Sequence, residues 1–308
     1  MSSPTPTPLK IASAEPADQA AALGLVFCDQ PPESRGAHVA GLLRQSQSGS
    51  LPLNGLLAAR RGEAVVGAVW AQLQPGRVAA VWAPQLAEEE PPDTGQQLAI
   101  TAVDYLRTHD VRLAQCLLET DTGDCVGWLH QAGFMHAADL LYLVSTVGRF
   151  PTAPTNVDLE YHPCDTVSRD RLVEIVERTY QDTLDCPTMN GVRAMQDVLD
   201  GYRKIGTFDA NRWLIVRHAD SDVGCLLLTD HEDAGQWELI YMGLVPETRG
   251  KGWGLEVTRH AQWMCREAGR KRLVLAVDAS NGPALEQYAS AGFMSWDRRS
   301  VFLRIFDA

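Results

Sequence analysis

The chain carries the same order of strand-forming and helix-forming patterns twice. Residues 66–69 (VGAV) reappear as VGCL at 223–226, and residues 131–134 (QAGF) reappear as SAGF at 290–293, so the offsets are 157 and 159 residues. Fragments that recur at nearly one offset, inside one order of elements, indicate a tandem duplication. A chain of 308 residues also suits two domains of about 150 residues each. We therefore expect two copies of one α/β fold.

Hydrophobic periodicity predicts the elements of each copy. In the first half, strands are predicted at 9–14, 56–60, 64–72, 77–82, 111–119 and 134–147, and helices at 17–27, 34–47, 95–108 and 124–132. In the second half, strands are predicted at 157–161, 211–216, 223–229, 237–245, 272–278 and 293–306, and helices at 168–180, 190–205, 252–269 and 282–291.

Proline-rich segments mark the expected boundaries. Residues 150–155 contain two prolines and no periodicity, which predicts a linker. Residues 1–8 are mostly Ser, Thr and Pro and are expected to be a disordered tail. The predicted domains are therefore 9–149 and 156–308.

The charge and cysteine content exclude several classes of function. The net charge is −12, and the excess of acids is divided equally between residues 1–155 and 156–308, which argues against a nucleic-acid partner. The acidity either serves solubility or favours a cationic substrate such as an amine. Seven cysteines without a CxxC pair indicate reduced thiols and no metal site. Neither a signal peptide nor an apolar run long enough for a membrane span is recognised, so we expect a cytoplasmic protein with no membrane partner.

The most informative segment is 239–255 (LIYMGLVPETRGKGWGL), a predicted strand, loop and helix. The first turn of a helix has free backbone N–H groups and a partial positive charge, so it binds phosphate when no side chain blocks it. Gly250, Gly252 and Gly254 leave the backbone open, and Arg249 and Lys251 add positive charge. This loop predicts a pyrophosphate site.

Four interpretations of the loop compete. A P-loop requires Ser or Thr where Gly252 follows Lys251. A dinucleotide fingerprint requires GxGxxG, whereas this loop reads GxGxG. The third is an R-x-x-G-x-G signature running from Arg249 to Gly254. The fourth is a glycine-rich turn without a ligand.

A second motif favours the third interpretation. Residues 281–293 read N-x-x-A-x-x-x-Y-x-x-x-G-F, with Asn281 expected to cap a helix, Tyr288 one turn beyond Ala284, and Gly292 ending the helix. Both motifs, separated by one strand, resemble the acyl-CoA site of the GNAT family of N-acetyltransferases. The resemblance covers about 156–308. It implies an α/β (α+β) fold of two tandem GNAT-like domains, each a mixed, mostly antiparallel sheet flanked by helices.

The resemblance also implies roles for individual residues. Acetyl-CoA or another acyl-CoA would be the cosubstrate. Its contacts would be Gly243, Leu244, Val245, Arg249, Gly250, Lys251, Gly252, Trp253, Gly254, Asn281, Ala284 and Tyr288. The Leu244 amide would polarise the thioester carbonyl, and Tyr288 would protonate the CoA thiolate.

The general base is left open among three residues. Glu238 is the acid of the strand at 237–245 and matches the family's usual glutamate. Strict alternation puts it on the face of Ile240 and Met242 unless a bulge intervenes. Asp230 and His231 are alternatives, and Tyr241 is a further candidate for the acceptor site.

A segment between the first two helices of the second half is the last candidate. Residues 182–193 contain Cys186 and Arg193 and are interpreted either as a specificity loop or as a turn with Asn190 capping the next helix. Cys186, with no nearby histidine, is not expected to be a nucleophile.

The first half lacks these signatures. The loop at 88–97 has three consecutive glutamates, Gly95 as its one glycine and no arginine, and Leu129 stands where the second motif has Tyr288. Like charges repel a pyrophosphate, so we expect a degenerate domain without CoA. Two such domains, the second active, resemble the arrangement of mycothiol synthases.

The function that these residues predict is N-acyl transfer, most simply acetyl transfer, from acyl-CoA to a primary amine of a small molecule or peptide. A non-catalytic acyl-CoA sensor is the alternative, and transfer to oxygen or from a longer acyl donor is also open.

Overall fold

The computed structural model describes residues 7–119, 123–155 and 158–307. Most of the predicted tail at 1–8, and Asn156 and Val157 at the expected start of the second domain, lie outside these residues. The described residues form two compact units: unit 1 runs up to His136 and includes the residues from Val301 onward, and unit 2 is Ala137–Ser300.

Unit 1 is an antiparallel sheet with one parallel pair and helices around it. Its strands are β1 (Leu9–Ser13), β2 (Leu56–Arg61), β3 (Ala64–Gln74), β4 (Val78–Leu86) and β5 (Leu113–Glu119), and its helices are α1 (Gln19–Val26), α2 (Pro32–Gln47), α3 (Asp93–Arg107) and α4 (Asp124–Gln131). The strands follow one another in sequence order, and β4 pairs with β5 in parallel over four residue pairs, from Val78 with Leu113 to Val81 with Cys116.

Unit 2 repeats this architecture. Its strands are β6 (Met135–Thr146), β7 (Glu160–Pro163), β8 (Trp213–His218), β9 (Ser221–His231), β10 (Gln236–Leu244), β11 (Arg272–Asp278) and the first part of β12 (Met294–Ile305), and its helices are α5 (Arg169–Tyr180), α6 (Met195–Tyr202), α7 (Trp253–Glu267) and α8 (Gly282–Ser290). The sheet order is β12-β6-β11-β10-β9-β8-β7. The predicted fold class, a tandem pair of mixed, mostly antiparallel sheets flanked by helices, is confirmed.

The repeated fragments occupy equivalent places in the two units. Residues 66–69 lie in β3 and residues 223–226 in β9. The second pair follows α4 and α8, and Gly133 and Gly292 both have φ near 80° (81° and 80°). That left-handed conformation is suited to glycine after a helix, so the sequence match reflects a shared backbone requirement.

The compact units do not coincide with the two halves of the sequence, because the last strands of the halves are exchanged. Strand β6, which precedes the linker, pairs antiparallel with β11 over 140–146, and Leu143 packs in the core of unit 2. The end of β12 lies beside β5 in unit 1, where Phe302 is buried and the Phe306 amide donates to the Arg112 carbonyl. Each of these two strands has apolar residues that pack in the core formed by the other half of the sequence.

The two faces of the unit 2 sheet carry separate cores. On one face, Val257, Ala261 and Cys265, spaced by four along α7, pack with α8 on Leu239 of β10 and with residues of β11. On the other face, α5 and α6 cover β8 and β9. The spacing of four places one apolar stripe of α7 against the sheet.

Element predictions agree closely with the structure, with one clear correction. The predicted helix at 190–205 is wrong in its first turns, because helix α6 begins only at Met195 and Ala194 precedes it as the cap. Gly191 has a φ of 74°, and Asn190 is extended at the end of a short 3₁₀ turn. A left-handed glycine is incompatible with a continuing helix, so the segment before Met195 is a loop.

Strand β10 contains a bulge and leaves its parallel neighbour early. Opposite β9, the register shifts between Leu239 and Tyr241, so that Ile240 is the additional residue. Opposite β11, Cα pairing ends after Trp237 with Leu273 and Glu238 with Val274. Beyond that point the two strands separate, and a gap opens between them.

No helix within the described residues is both long enough and apolar enough to cross a bilayer.

A buried histidine in α7 couples the stability of unit 2 to pH. The rings of His260 and Tyr161 stack with centroids 3.5 Å apart and an interplanar angle of 2°. Burial lowers the pKa of His260 from 6.5 to about 4. Between these values the unfolded chain binds a proton that the folded chain does not, so the contribution of His260 to stability is present above pH 6.5 and is lost as the pH falls toward 4.

We therefore expect His260→Phe, which keeps an aromatic ring against Tyr161 and removes the titrating group, to weaken the acid sensitivity of unit 2. Between pH 7 and pH 5 the wild type should lose about 2 kcal/mol more unfolding free energy than the variant. Urea unfolding followed by tryptophan fluorescence at both pH values measures this difference. Identical losses in the two proteins would contradict the role assigned to His260.

Candidate active site

The gap between β10 and β11 is the mouth of a cavity of about 580 Å³ in unit 2. Its walls come from the end of α5 and the loop after it, from β10 and β11, from the glycine loop, and from α8. The residues that line it include Thr179, Asp185, Ile240, Tyr241, Met242, Gly243, Leu244, Gly250, Gly252, Gly254, Ala276, Asn281, Ala284, Gln287 and Tyr288. Both sequence motifs therefore meet in one cavity.

The glycine loop presents open backbone at the start of α7. Gly250 and Gly252 have φ values of 78° and 77°, and a Cβ at either position would meet no atom within 4 Å. Gly252 is the N-cap of α7, so the free N–H groups of the first helical turn follow it directly. This geometry leaves room for an anion at the helix N-terminus.

Gly254 has a different steric role from the other two glycines. A Cβ at this position would lie 2.0 Å from the Gln287 Oε1 atom of α8. The Gln287 amide in turn donates to the Thr258 hydroxyl at 2.9 Å. The missing side chain of Gly254 therefore allows α7 and α8 to approach closely.

The Arg249 guanidinium fixes the loop to neighbouring backbone. It donates to the carbonyl oxygens of Leu244, Thr179, Gln181 and Asp182 at distances between 2.7 and 3.1 Å. The planar fork of arginine satisfies several acceptors at once. The sequence predicts that Arg249 adds positive charge and contacts acyl-CoA. The structure adds that its side chain joins the end of β10 to the end of α5.

The backbone N–H groups of β10 point alternately toward β9 and toward the gap. The Val245 amide donates to the Val223 carbonyl at 3.0 Å, and the Val245 carbonyl accepts from Thr248. Because N–H groups alternate along a strand, the amide of Leu244 points away from β9, toward the gap. Gly243 packs against Thr179. Val245 is itself buried between the sheet and α5.

Helix α8 brings the second motif to the cavity. The Asn281 side chain accepts from the Ala284 amide at 3.3 Å, which confirms the predicted cap. Tyr288 packs edge-on against Phe293, with centroids 5.6 Å apart. Its hydroxyl makes no hydrogen bond to the described part of the chain. Burial, followed by the nearby charge of Asp185, raises the pKa of Tyr288 above its ordinary value, so the phenol is protonated at neutral pH.

Lys251 and Trp253 lie beside a separate depression on unit 2. The Lys251 Nζ atom is 4.9 Å from the Trp253 ring centroid, and the other neighbour of that ring is His218, at 4.7 Å. The depression also includes Arg178 and Glu247, which form an ion pair at 2.7 Å. Lys251 and Trp253 therefore line this depression, whereas Gly250 and Gly252 line the cavity between β10 and β11.

The three candidate bases and Tyr241 have distinct surroundings. Glu238 and His231 form a pair, with His231 Nε2 2.6 Å from the carboxylate and both side chains about 30% exposed (29% and 30%). Asp230 is held between Arg212 and Arg270 at 3.1 and 2.8 Å. Burial alone would raise the pKa of Asp230, but the hydrogen bonds and charges of its partners lower it. Tyr241 lines the cavity.

The bulge decides which face of β10 carries Glu238. Glu238 pairs with Thr229, and Tyr241 pairs with Leu227, two residues away on β9. Residues two apart on a strand share a face, so Glu238 lies on the side of Tyr241 and not on that of Met242. Strict alternation therefore does not hold along β10, because the bulge at Ile240 takes up one residue without advancing the register.

The loop after α5 is held over the cavity by two aspartates. The Asp278 amide donates to Asp185, and the Cys186 amide donates to Asp278, at 2.9 and 3.1 Å. Burial, with the charge of Asp278, raises the pKa of Asp185. Burial and both carboxylates raise the pKa of Cys186 to about 12, which agrees with the expectation that it is no nucleophile. The mixture of acids in the sequence pointed to this loop, but not to the reciprocal pairing.

A cluster of tyrosines beside this loop was missed by sequence reasoning, apart from Tyr241. The rings of Tyr180 and Tyr202 stack on Tyr241 at 5.1 and 6.1 Å, and the hydroxyls of Tyr180 and Tyr202 are 2.9 Å apart. The three residues come from α5, α6 and β10, so only the packing of these elements brings them together. Arg193 also lies near this cluster.

The corresponding place in unit 1 is filled by side chains. A Cβ on Gly95 would lie 2.5 Å from the indole of Trp128 in α4. Glu90 accepts hydrogen bonds from Arg61 and from Thr94 in the first turn of α3. Leu129 is buried in the core of unit 1. A carboxylate of the chain thus lies at the start of α3, the position at which the glycine loop of unit 2 is open.

Among the described residues no group of three or more His, Cys, Asp or Glu is placed to hold a metal ion.

Comparison with known proteins agrees with the geometry of unit 2. The model of the acetyltransferase (GNAT) family matches residues 176–293, which span α5 to the end of the second motif. Residues 176–293 are therefore similar to GNAT acetyltransferases. Both the glycine loop and α8 lie within this matched segment.

Solved structures extend the likeness to the whole chain. A GCN5-related N-acetyltransferase from Sphaerobacter thermophilus has a TM-score of 0.63 at 16% identity and covers 96% of this chain and 95% of its own. A tandem GNAT protein from the clavulanic acid biosynthesis pathway has a TM-score of 0.53 at 14% identity and covers 97% and 98%. At these identities the likeness establishes the tandem GNAT fold.

One curated relative is closer in sequence but over a short region. The mycothiol acetyltransferase of Thermobifida fusca (strain YX) is 33% identical over 78 residues, which is 25% of this chain and 24% of that protein. The chain therefore matches only about a quarter of that relative's length.

The geometry of the two units predicts one acyl-CoA site per chain. Calorimetric titration of the full chain with acetyl-CoA should give a single site that is lost in Gly252→Trp, because the indole would occupy the open space at the start of α7. Gly269→Trp is the matched control, since Gly269 lies beyond the other end of α7, also with positive φ (72°) and with no atom within 4 Å of a Cβ. Two sites in the wild type would contradict the assignment of unit 1.

Proposed function

We propose that unit 2 transfers an acyl group, most simply acetyl, from acyl-CoA directly to a primary amine of a small molecule or peptide. The observation that carries this proposal is the cavity between β10 and β11, which joins an open helix N-terminus to a buried tyrosine hydroxyl. The match of residues 176–293 to the GNAT family model supports the class of reaction. Seven free thiols fit a reducing compartment such as the cytoplasm.

The glycine loop would hold the pyrophosphate of acyl-CoA. Gly250 and Gly252 leave space at the N-terminus of α7, where N–H groups and the helix dipole favour an anion. Gly254 would contribute through its backbone, because its side-chain position is taken by Gln287. Arg249 keeps the loop in place, and Lys251 and Trp253 would contribute at its outer side.

The pantetheine arm would lie in the gap along β10. Gly243 and Leu244 line the gap, and Asn281 and Ala284 of α8 form its opposite wall. The Leu244 amide faces the gap and would donate to the thioester oxygen as negative charge develops on it. Val245 follows the gap and would act through packing.

Acyl transfer then needs one proton accepted and one donated. The amine nitrogen attacks the thioester carbon, the new C–N bond forms, and the C–S bond breaks. The departing thiolate would take the proton of the Tyr288 hydroxyl, which then regains one from solvent. The amine proton would pass to the Glu238–His231 pair, in which a carboxylate and an imidazole share a short hydrogen bond.

A non-catalytic acyl-CoA sensor is the alternative, and Tyr288→Phe separates the two. Tyr288 loses no hydrogen bond to the described residues on this change and keeps its packing on Phe293. For an enzyme we expect kcat to fall about 100-fold, with the Kd for acetyl-CoA nearly unchanged. Release of CoA thiol in the presence of primary amines measures turnover, and calorimetry measures binding.

The control for this experiment is Tyr161→Phe, a partly buried tyrosine of unit 2 that stacks on His260 away from the cavity lining. It should leave kcat unchanged. Wild-type protein that binds acetyl-CoA and releases no thiol with any amine favours the sensor. Full activity of Tyr288→Phe would remove Tyr288 as proton donor.

The proposed base predicts a second outcome. His231→Gln and Glu238→Gln should each lower kcat by about 100-fold. Because the pair works as a unit, the double variant should lose little more than either single variant. Glu232→Gln, an exposed acid next to His231, is the control and should behave as wild type. Single losses that multiply in the double variant would show that the two side chains act separately.

A further inference from the structure

The face of the unit 2 sheet that carries Glu238 continues beyond the part covered by helices. Helices α5 and α6 cover this face at β8 and β9. Farther along the sheet, β11 presents Ala276, which is exposed and lines the cavity, and β6 presents Tyr142 directly opposite Ala276. The cavity therefore opens onto this part of the sheet.

A pair of aromatic rings lies there, one exposed and one partly buried. Trp296 of β12 is 62% exposed, and its ring meets that of Tyr142 with centroids 5.9 Å apart and an interplanar angle of 60°. A large exposed indole beside a cavity offers apolar area and a π-face to a ligand.

A carboxylate lies on the same face at a suitable separation. Glu238 pairs with Val274 on β11, and Tyr142 pairs with Ala276, two residues farther along the same strand. Two strand spacings separate their backbones by roughly 10 Å across the sheet, and both side chains lie on the same face. Burial raises the pKa of the Tyr142 phenol. The charge of Arg299 lowers this pKa, whereas the charges of Asp297 and Glu238 raise it. A ligand with an amine at one end and an aromatic ring at the other could therefore contact the carboxylate and the rings at the same time.

We propose that the acceptor of unit 2 is an arylalkylamine, whose ring packs on Trp296 and Tyr142 and whose ammonium group approaches Glu238. This inference rests on the proposed acyl transfer, because it places the amine where the cavity opens at Ala276. The excess of acidic residues in the chain favours a cationic ligand. Tyr142 belongs to the strand supplied by the first half of the sequence, so that half contributes to acceptor recognition through β6.

Binding to the CoA-saturated full chain tests the proposal without requiring turnover. 2-Phenylethylamine and n-butylamine are titrated calorimetrically into the wild type and into Trp296→Ala, Tyr142→Ala and Phe208→Ala. The aryl amine should bind more tightly than the alkyl amine. Either of the first two variants should weaken aryl-amine binding about 10-fold and leave alkyl-amine binding unchanged.

Phe208→Ala is the matched control, because Phe208 also belongs to an edge-on aromatic pair, with Trp213 at 5.1 Å, and is 36% exposed. It should bind both amines as the wild type does. Equal affinity of the wild type for both amines, or aryl-amine binding unaffected by Trp296→Ala, would overturn the inference. Acetyl-CoA affinity, measured for every variant, reports whether unit 2 is intact.

Turnover separates the inference from the function on which it rests. The expected binding pattern together with aryl-amine-dependent thiol release supports both. The same binding pattern without thiol release supports the aromatic site and contradicts acyl transfer. Thiol release that is faster with butylamine than with 2-phenylethylamine supports acyl transfer and overturns the aromatic acceptor.

Discussion

The separation of β10 from β11 after Glu238 is the constraint on which the site depends. Two parallel strands that stayed paired would leave no gap, since their N–H and C=O groups would satisfy one another. The bulge at Ile240 bends β10, and Arg249 holds the far end of the strand to the end of α5. Beyond Glu238 the backbone of β10 is therefore not paired with β11 and lines the cavity instead.

The start of α3 in unit 1 is packed by side chains, whereas the equivalent start of α7 in unit 2 is open. In unit 1 the indole of Trp128 covers Gly95, and Glu90 lies at the start of α3. In unit 2 the equivalent helix start follows Gly252, with open space before it. Gly95 of α3 and Gly254 of α7 each allow another helix to approach closely. The presence of a glycine at this place therefore does not by itself indicate a ligand site. A shared fold therefore does not carry a shared function.

The exchange of the last strands ties the two halves of the sequence together. Strand β6 fills a place in the sheet of unit 2, and the end of β12 fills one in unit 1. Neither half of the sequence can then complete its own sheet by its own residues. Such an arrangement gives a reason for a domain without a CoA signature to remain in the chain, because it supplies a strand and Tyr142 to the domain that has one.

The sequence determined the element order, the duplication and the two motifs, because periodicity, glycine conformation and helix capping are local properties of the chain. Asn281 caps α8 as its position requires, and Gly252 precedes α7. Only the tertiary structure decided the face of Glu238, the strand exchange, the carbonyl contacts of Arg249 and the meeting of Tyr142 with Trp296. These depend on register and on contacts between distant segments. A single bulge residue reverses the faces of a strand, and no local pattern records which strand becomes the neighbour of which.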